Sequence, residues 1–217
     1  METRTPQGNM VAQQVRTWNV VDSNIIQAIQ DVPRDAFVPK KYKDFAYADI
    51  QVPIRGGQVM LSPAVEGRLL QALAVKKTDH VLEIGTGSGY MSAVLGKLAK
   101  DVVSVDVLRG FSDDASLKLV ELGVNNVRFQ TGDAAFGWES GAPYDAILIT
   151  GGLPELPEAF KNMLSIGGRI VAILGDSPNM QAVCVERVSN SDWKITSLFD
   201  TSVPLLKNAP QHEEFNF

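Results

Sequence analysis

Cysteine, histidine and clustered charge are all scarce in this chain, and each scarcity closes a route. A single cysteine, Cys184, rules out an internal disulfide. Its place in the apolar run 182–185 predicts a buried, inert thiol rather than a nucleophile. The two histidines, His80 and His212, stand far apart without metal-ligand spacing, so no metal site is expected. Lysines and arginines form no run and the net charge is −5, which argues against non-specific binding to nucleic acid or an acidic membrane surface. No apolar stretch approaches the ~20 residues that span a bilayer. The opening Met-Glu-Thr-Arg-Thr-Pro-Gln lacks the apolar segment of a signal peptide, so a reducing cytoplasm is the expected location. What is present is core material: 217 residues, 45% of them hydrophobic, suit one domain with a small extension.

Residues 81–90, Val-Leu-Glu-Ile-Gly-Thr-Gly-Ser-Gly-Tyr, carry the most information. Val81, Leu82 and Ile84 read as a buried strand, Gly85, Gly87 and Gly89 as a tight turn, and Tyr90 as the start of a helix. Glycines at alternate positions let a ligand lie against bare backbone. A dinucleotide fingerprint has two residues between its second and third glycines, where this turn has one. Glu83, two residues before the first glycine, would repel a pyrophosphate but suits the ammonium of an amino acid. The bland reading is a glycine turn ending a core strand. Strand, acid, glycines and helix in this order resemble motif I of class I S-adenosylmethionine (SAM) methyltransferases.

From residue 80 the pattern alternates. Strands are expected at 80–84, 102–106, 126–130, 144–149 and 169–174, with helices at about 90–99, 112–122 and 155–164. Such alternation predicts an α/β fold, a mostly parallel sheet with helices on both faces. Residues 180–188 and 193–203 read as an antiparallel hairpin on one edge. Before residue 80 the chain reads as mostly helical. Asp22 or Ser23 caps a segment with Ile25, Ile26 and Ile29 on one face, and Ser62-Pro63 opens a helix bearing Val65, Leu69, Leu70 and Leu73. The expected division is a helical extension over 1–79 packed on a core over 80–217.

Two further acids fall at expected strand ends. Asp106 can accept hydrogen bonds from ribose hydroxyls, and Asp133, after Gly132, can take the exocyclic amine of adenine; as bland alternatives they cap or turn the chain. Open α/β sheets bind ligands at the carboxyl ends of their strands, so Glu83, Asp106 and Asp133 are expected to share one crevice. The expected cofactor is SAM, and its expected contacts are Glu83, Gly85, Thr86, Gly87, Ser88, Gly89, Asp106, Val107, Asp133 and Ala134. No histidine follows the fourth strand, where Thr150-Gly151-Gly152-Leu153-Pro154 sits. That absence favours a carboxylate acceptor, which is ionised at pH 7 and needs no base.

With these residues in hand, the chain resembles the protein-L-isoaspartate O-methyltransferase family from about residue 10 to 211. The likeness rests on the Val32-Pro-Arg-Asp-Ala-Phe-Val-Pro39 segment, Tyr47-Ala-Asp49, Pro53-Ile54, Gly57-Gln58, motif I, Gly132-Asp133, Ala142-Pro-Tyr-Asp-Ala146, Pro154-Glu-Leu-Pro157, Gly167-Gly-Arg169 and Val203-Pro-Leu205. The resemblance implies a class I methyltransferase sheet with a modified order of the last strands and a helical cover over the cofactor. It also implies repair of damaged proteins by methylating the side-branch carboxylate of an isoaspartyl residue in a protein or peptide. The family loop reads Gly-Gln-Thr-Ile-Ser-x-Pro; here Gln58, Val59, Met60 and Leu61 form the substrate loop, with Leu61 in the serine's place. Ser62, one position later, is the candidate catalytic hydroxyl, although the favoured reading is that it is only a helix cap. Leu206 falls where the family has a hydroxyl residue, and Gln211 keeps its place. The apolar loop leaves open a different, small acceptor or a non-catalytic SAM-binding role.

Overall fold

The computed structural model describes residues 5–210; Gln211 and His212, named above, lie outside them. The chain enters through α1 (Pro6–Met10), whose cap Thr5 accepts the Gly8 N–H at 3.0 Å. A π-helical turn and a 3-10 turn follow and end at Asn19, with φ of 62°. Helix α2 (Ser23–Asp31) settles the choice of cap. Asp22 Oδ1 accepts from the N–H groups of Asn24 at 2.8 Å and Ile25 at 3.4 Å. Ile25, Ile26 and Ile29 are buried, as their spacing predicts.

The mostly helical front contains a small ribbon that periodicity does not reveal. β1 (Val52–Pro53) pairs antiparallel with β2 (Val59–Met60), Val52 opposite Met60. Between them Gly56 and Gly57 turn the chain at φ of 72° and 74°. Two-residue strands are too short to show alternation. Helix α3 (Pro63–Leu73) then begins with Ser62 at the N-cap position, yet the Ser62 side chain makes no capping bond. Asp49 supplies it from another loop, its Oδ1 accepting the Ala64 N–H at 3.2 Å.

The sheet builds from β3 (His80–Ile84), α4 (Tyr90–Leu98), β4 (Asp101–Asp106), α5 (Arg109–Glu121) and β5 (Val127–Thr131). It continues through β6 (Tyr144–Leu153), α6 (Glu158–Asn162), β7 (Leu164–Asp176), β8 (Asn179–Arg187) and β9 (Trp193–Asp200). Its order is β5-β4-β3-β6-β7-β8-β9. The first five strands run parallel, while β7–β8 and β8–β9 pair antiparallel. The last three strands therefore follow chain order across the edge.

Several expected boundaries move, with helix α5 starting three residues early and β9 ending three residues short. The helix expected over 155–164 shrinks to α6, because Pro157 delays its start and β7 begins at Leu164, across the Gly167-Gly168 turn. Strand β6 runs on through Thr150, Gly151 and Gly152 to Leu153. There the segment after β9 lies against it: Gly152 N–H donates to Pro204 O at 2.9 Å and Leu206 N–H to Gly152 O at 2.8 Å. A Cβ on Gly151 would stand 2.6 Å from Leu206, so the glycine permits this approach.

Both sheet faces are buried. Val15, Ile29, Phe37, Leu69, Val94 and Val171 share one core, and Leu82, Ile147, Phe160 and Ile170 lie in the other. The front segment is thus part of the sheet's cover. No helix among the described residues is long and apolar enough to cross a membrane.

Candidate active site

A cleft of about 850 Å³, counting its open mouth, lies at the carboxyl ends of β3, β4, β5 and β6. The turn after β3 forms its floor through Gly85 and Gly87, while Gly89, an expected contact, completes the turn off the cleft wall; the three have φ of 94°, 51° and 86°. Side-chain-bearing residues rarely adopt these angles. Thr150 Oγ1 donates to Gly85 O at 2.7 Å and Ile84 O at 3.1 Å, tying β6 to the turn.

Asp106 lies on the cleft wall at the end of β4. Its Oδ2 accepts the Gly87 N–H at 3.0 Å and its Oδ1 the Leu108 N–H at 2.8 Å, so one carboxylate joins two loops. Burial raises its pKa, while those N–H groups and the charges of Arg55 and Lys207 oppose the shift. Asp133 also lies on the wall. Its Oδ1 closes a turn with the Ala135 N–H at 3.1 Å, and its Oδ2 accepts from Asn208 Nδ2 at 2.8 Å. Both acids keep lone pairs for a ligand.

Glu83 stands elsewhere. Strand alternation sends it to the α4 face of β3, where it is fully buried and off the cleft wall. Ser92 Oγ donates to its Oε2, as does Ser104 Oγ at 2.6 Å, and Oε1 has no partner. Burial pushes its pKa up to about 7, against the pull of the two serines. The crevice expected to hold three acids at strand ends therefore holds Asp106 and Asp133, with Glu83 sealed behind it. Thr86, Ser88, Val107 and Ala134 do line the cleft.

Gln58, Val59, Met60 and Leu61 form the opposite wall. Gln58 Nε2 donates to Leu205 O at 3.1 Å, joining this loop to the segment after β9, which contributes Leu206. Ser62 is not on the wall.

Behind the loop lies a buried cluster that no sequence period reveals. Arg34, of the Val-Pro-Arg segment, is fully buried. Its Nη2 donates to Leu61 O at 2.6 Å, its Nη1 pairs with Glu66 Oε2, and its guanidinium lies over the Tyr90 ring at 4.9 Å. Glu66 and Tyr90 both reach the cleft wall. Burial raises the Glu66 pKa to about 7, with Arg34 opposing. The available signal was an acid within the apolar face of α3, between Val65 and Leu69.

Among the described residues, no group of three or more His, Cys, Asp or Glu could hold a metal. His80 sits at the amino end of β3, where its Nδ1 pairs with Asp101 and its ring stacks on Tyr144.

Five parallel strands, an antiparallel edge, a glycine turn after the first core strand and an acid ending the next define a class I SAM-dependent methyltransferase. The chain belongs to the protein-L-isoaspartate(D-aspartate) O-methyltransferase family, whose model matches residues 6–209. A protein-L-isoaspartate O-methyltransferase of Rhodopseudomonas palustris (strain ATCC BAA-98 / CGA009) is 41% identical over 91% of each chain. One of Yersinia enterocolitica is 36% identical over 89% of this chain and 93% of its own. A solved protein-L-isoaspartate O-methyltransferase matches with a TM-score of 0.80 at 25% identity, covering 93% of this chain and 65% of that one. A Plasmodium falciparum structure, titled a putative protein-L-isoaspartate O-methyltransferase in complex with S-adenosyl-L-homocysteine, has the same fold, with a TM-score of 0.80 at 16% identity.

Proposed function

We propose that this protein transfers a methyl group from SAM to the side-branch carboxylate of isoaspartyl residues in damaged proteins or peptides. The carrying observation is that one cleft combines the glycine turn and Asp106 with the loop 58–61, where the family places its acceptor. The residues fit the cofactor. Asp106 would hold the ribose hydroxyls, Asp133 the adenine amine, and the glycine turn with Thr86 and Ser88 the chain between nucleoside and amino acid. When bound, SAM supplies a methyl group on a sulfonium, open to displacement by an oxygen lone pair.

The protein's part is alignment, since holding two reactants in line is worth up to ~7–11 kcal/mol. A carboxylate acceptor arrives ionised at pH 7, so no side chain has to remove a proton. This matches a cleft wall without histidine among the described residues. Val59, Met60 and Leu61 give the acceptor end an apolar wall, against which a partly desolvated carboxylate would be a stronger nucleophile. Ser62 does not line the cleft, and this path does not need it.

The test is methylation by tritiated SAM of an isoaspartyl peptide beside its normal aspartyl twin. Label on the first and not the second is the expected result. Equal label, or none on either, removes the repair reading.

A further inference from the structure

A methyl donor with an amino-acid tail needs a partner for its ammonium, and the acid that the sequence nominates does not reach the cleft. Glu83 is fully buried beneath the turn, held by Ser92 and Ser104. The strand-end carbonyls of Ile84 and Gly85 share the single hydroxyl proton of Thr150 and carry no negative charge to match an ammonium. One further carboxylate borders the same space.

We propose that Glu66, rather than Glu83, receives the ammonium of the cofactor's methionine moiety, with Arg34 as the positioning residue behind it. Glu66 projects from the first turns of α3 onto the wall shared with Leu61 and Tyr90. Asp106 and Asp133 occupy the β4 and β5 side. With the nucleoside on those two acids, the tail extends toward the α3 side.

The ion pair is half complete. Among the described residues the Glu66 side chain is bonded by Arg34, at Oε2, which leaves Oε1 to the cleft side. Arg34 is held in turn by Leu61 O and the Tyr90 ring, so the carboxylate cannot swing away. A primary ammonium brings three donors and a positive charge, which is what a buried carboxylate with one free oxygen lacks.

This rests on the cleft being the SAM site, and the experiment separates the two. Calorimetric titrations with S-adenosylhomocysteine and with 5′-methylthioadenosine, which has no amino-acid tail, are made on wild type and Glu66→Gln. The glutamine keeps the shape and a carbonyl for Arg34 but loses the charge. S-adenosylhomocysteine should bind the variant roughly ten- to a hundredfold more weakly, as for a lost charged hydrogen bond. Methylthioadenosine affinity should stay within about twofold of wild type, less than a single neutral hydrogen bond contributes. Equal S-adenosylhomocysteine affinity, or equal losses on both ligands, overturns the assignment.

A wild-type control stands even if the variant folds poorly: a des-amino analogue of S-adenosylhomocysteine should lose a similar factor. Undiminished binding of that analogue also overturns it. Failure of wild type to bind either nucleoside would instead overturn the reading of the cleft, and this inference with it.

Discussion

At the scale of single residues, identity and position proved separable. Asp106 is where its place at a strand end predicts, and its carboxylate bridges Gly87 and Leu108 while facing the cleft. Asp106→Ala should weaken S-adenosylhomocysteine binding by roughly 1–3 kcal/mol, because ribose hydroxyls lose a charged acceptor; calorimetric titration measures it. Glu83, also an acid by a glycine turn, is buried with one oxygen unpartnered and its pKa pushed up to about 7. A carboxyl whose folded pKa lies above its unfolded value stabilises the fold while protonated. That contribution is complete below about pH 4.5 and is lost as pH rises to about 7. Glu83→Gln, which stays neutral, should therefore gain stability relative to wild type across that window, by up to about 3 kcal/mol. Urea denaturation of both proteins at pH 4.5, 6 and 8 checks this, and a constant difference would count against it. Cys184 is half-buried rather than buried as expected, and burial raises its thiol pKa.

At the scale of elements, long apolar periods were legible and short or borrowed structure was not. Strands β3 and β4 and helix α4 fall within a residue or so of expectation because several consecutive positions repeat one pattern. The β1–β2 ribbon has two residues a side and no period to read. Helix α3 shows how an end can be completed from outside its own sequence. Ser62 has the cap's backbone angles, but the hydrogen bond comes from Asp49, fifteen positions before the Ala64 that it caps. Asp49→Ala should cost about 1 kcal/mol, the usual value of a cap. For a chain of this size that lowers Tm by about 2–4 °C, readable by scanning calorimetry. Ser62→Ala should have a much smaller effect, since no capping bond is lost.

At the scale of the whole molecule, the cleft draws its walls from distant stretches: the loop 58–61, the turn after β3, the ends of β4 and β5, and the segment after β9. A ligand that bridges these parts binds the folded state alone and must stabilise it. S-adenosylhomocysteine at a hundred times its Kd should add about 2.7 kcal/mol, raising Tm by roughly 5–10 °C. An unchanged melting curve would mean that the cleft does not take this ligand. The chain alone determined the parallel sheet, the glycine turn, Asp106 and Asp133, because hydrophobic period and strand-end position are local properties. Only the tertiary structure decided which acids meet: whether Glu83 faces cleft or core depends on the side of the sheet it occupies and on what covers it there. Likewise Arg34 and Glu66, thirty-two residues apart, become a pair only when the front segment folds over the sheet. Contacts between remote residues leave no period in the chain, and burial sets their charge only once they are packed.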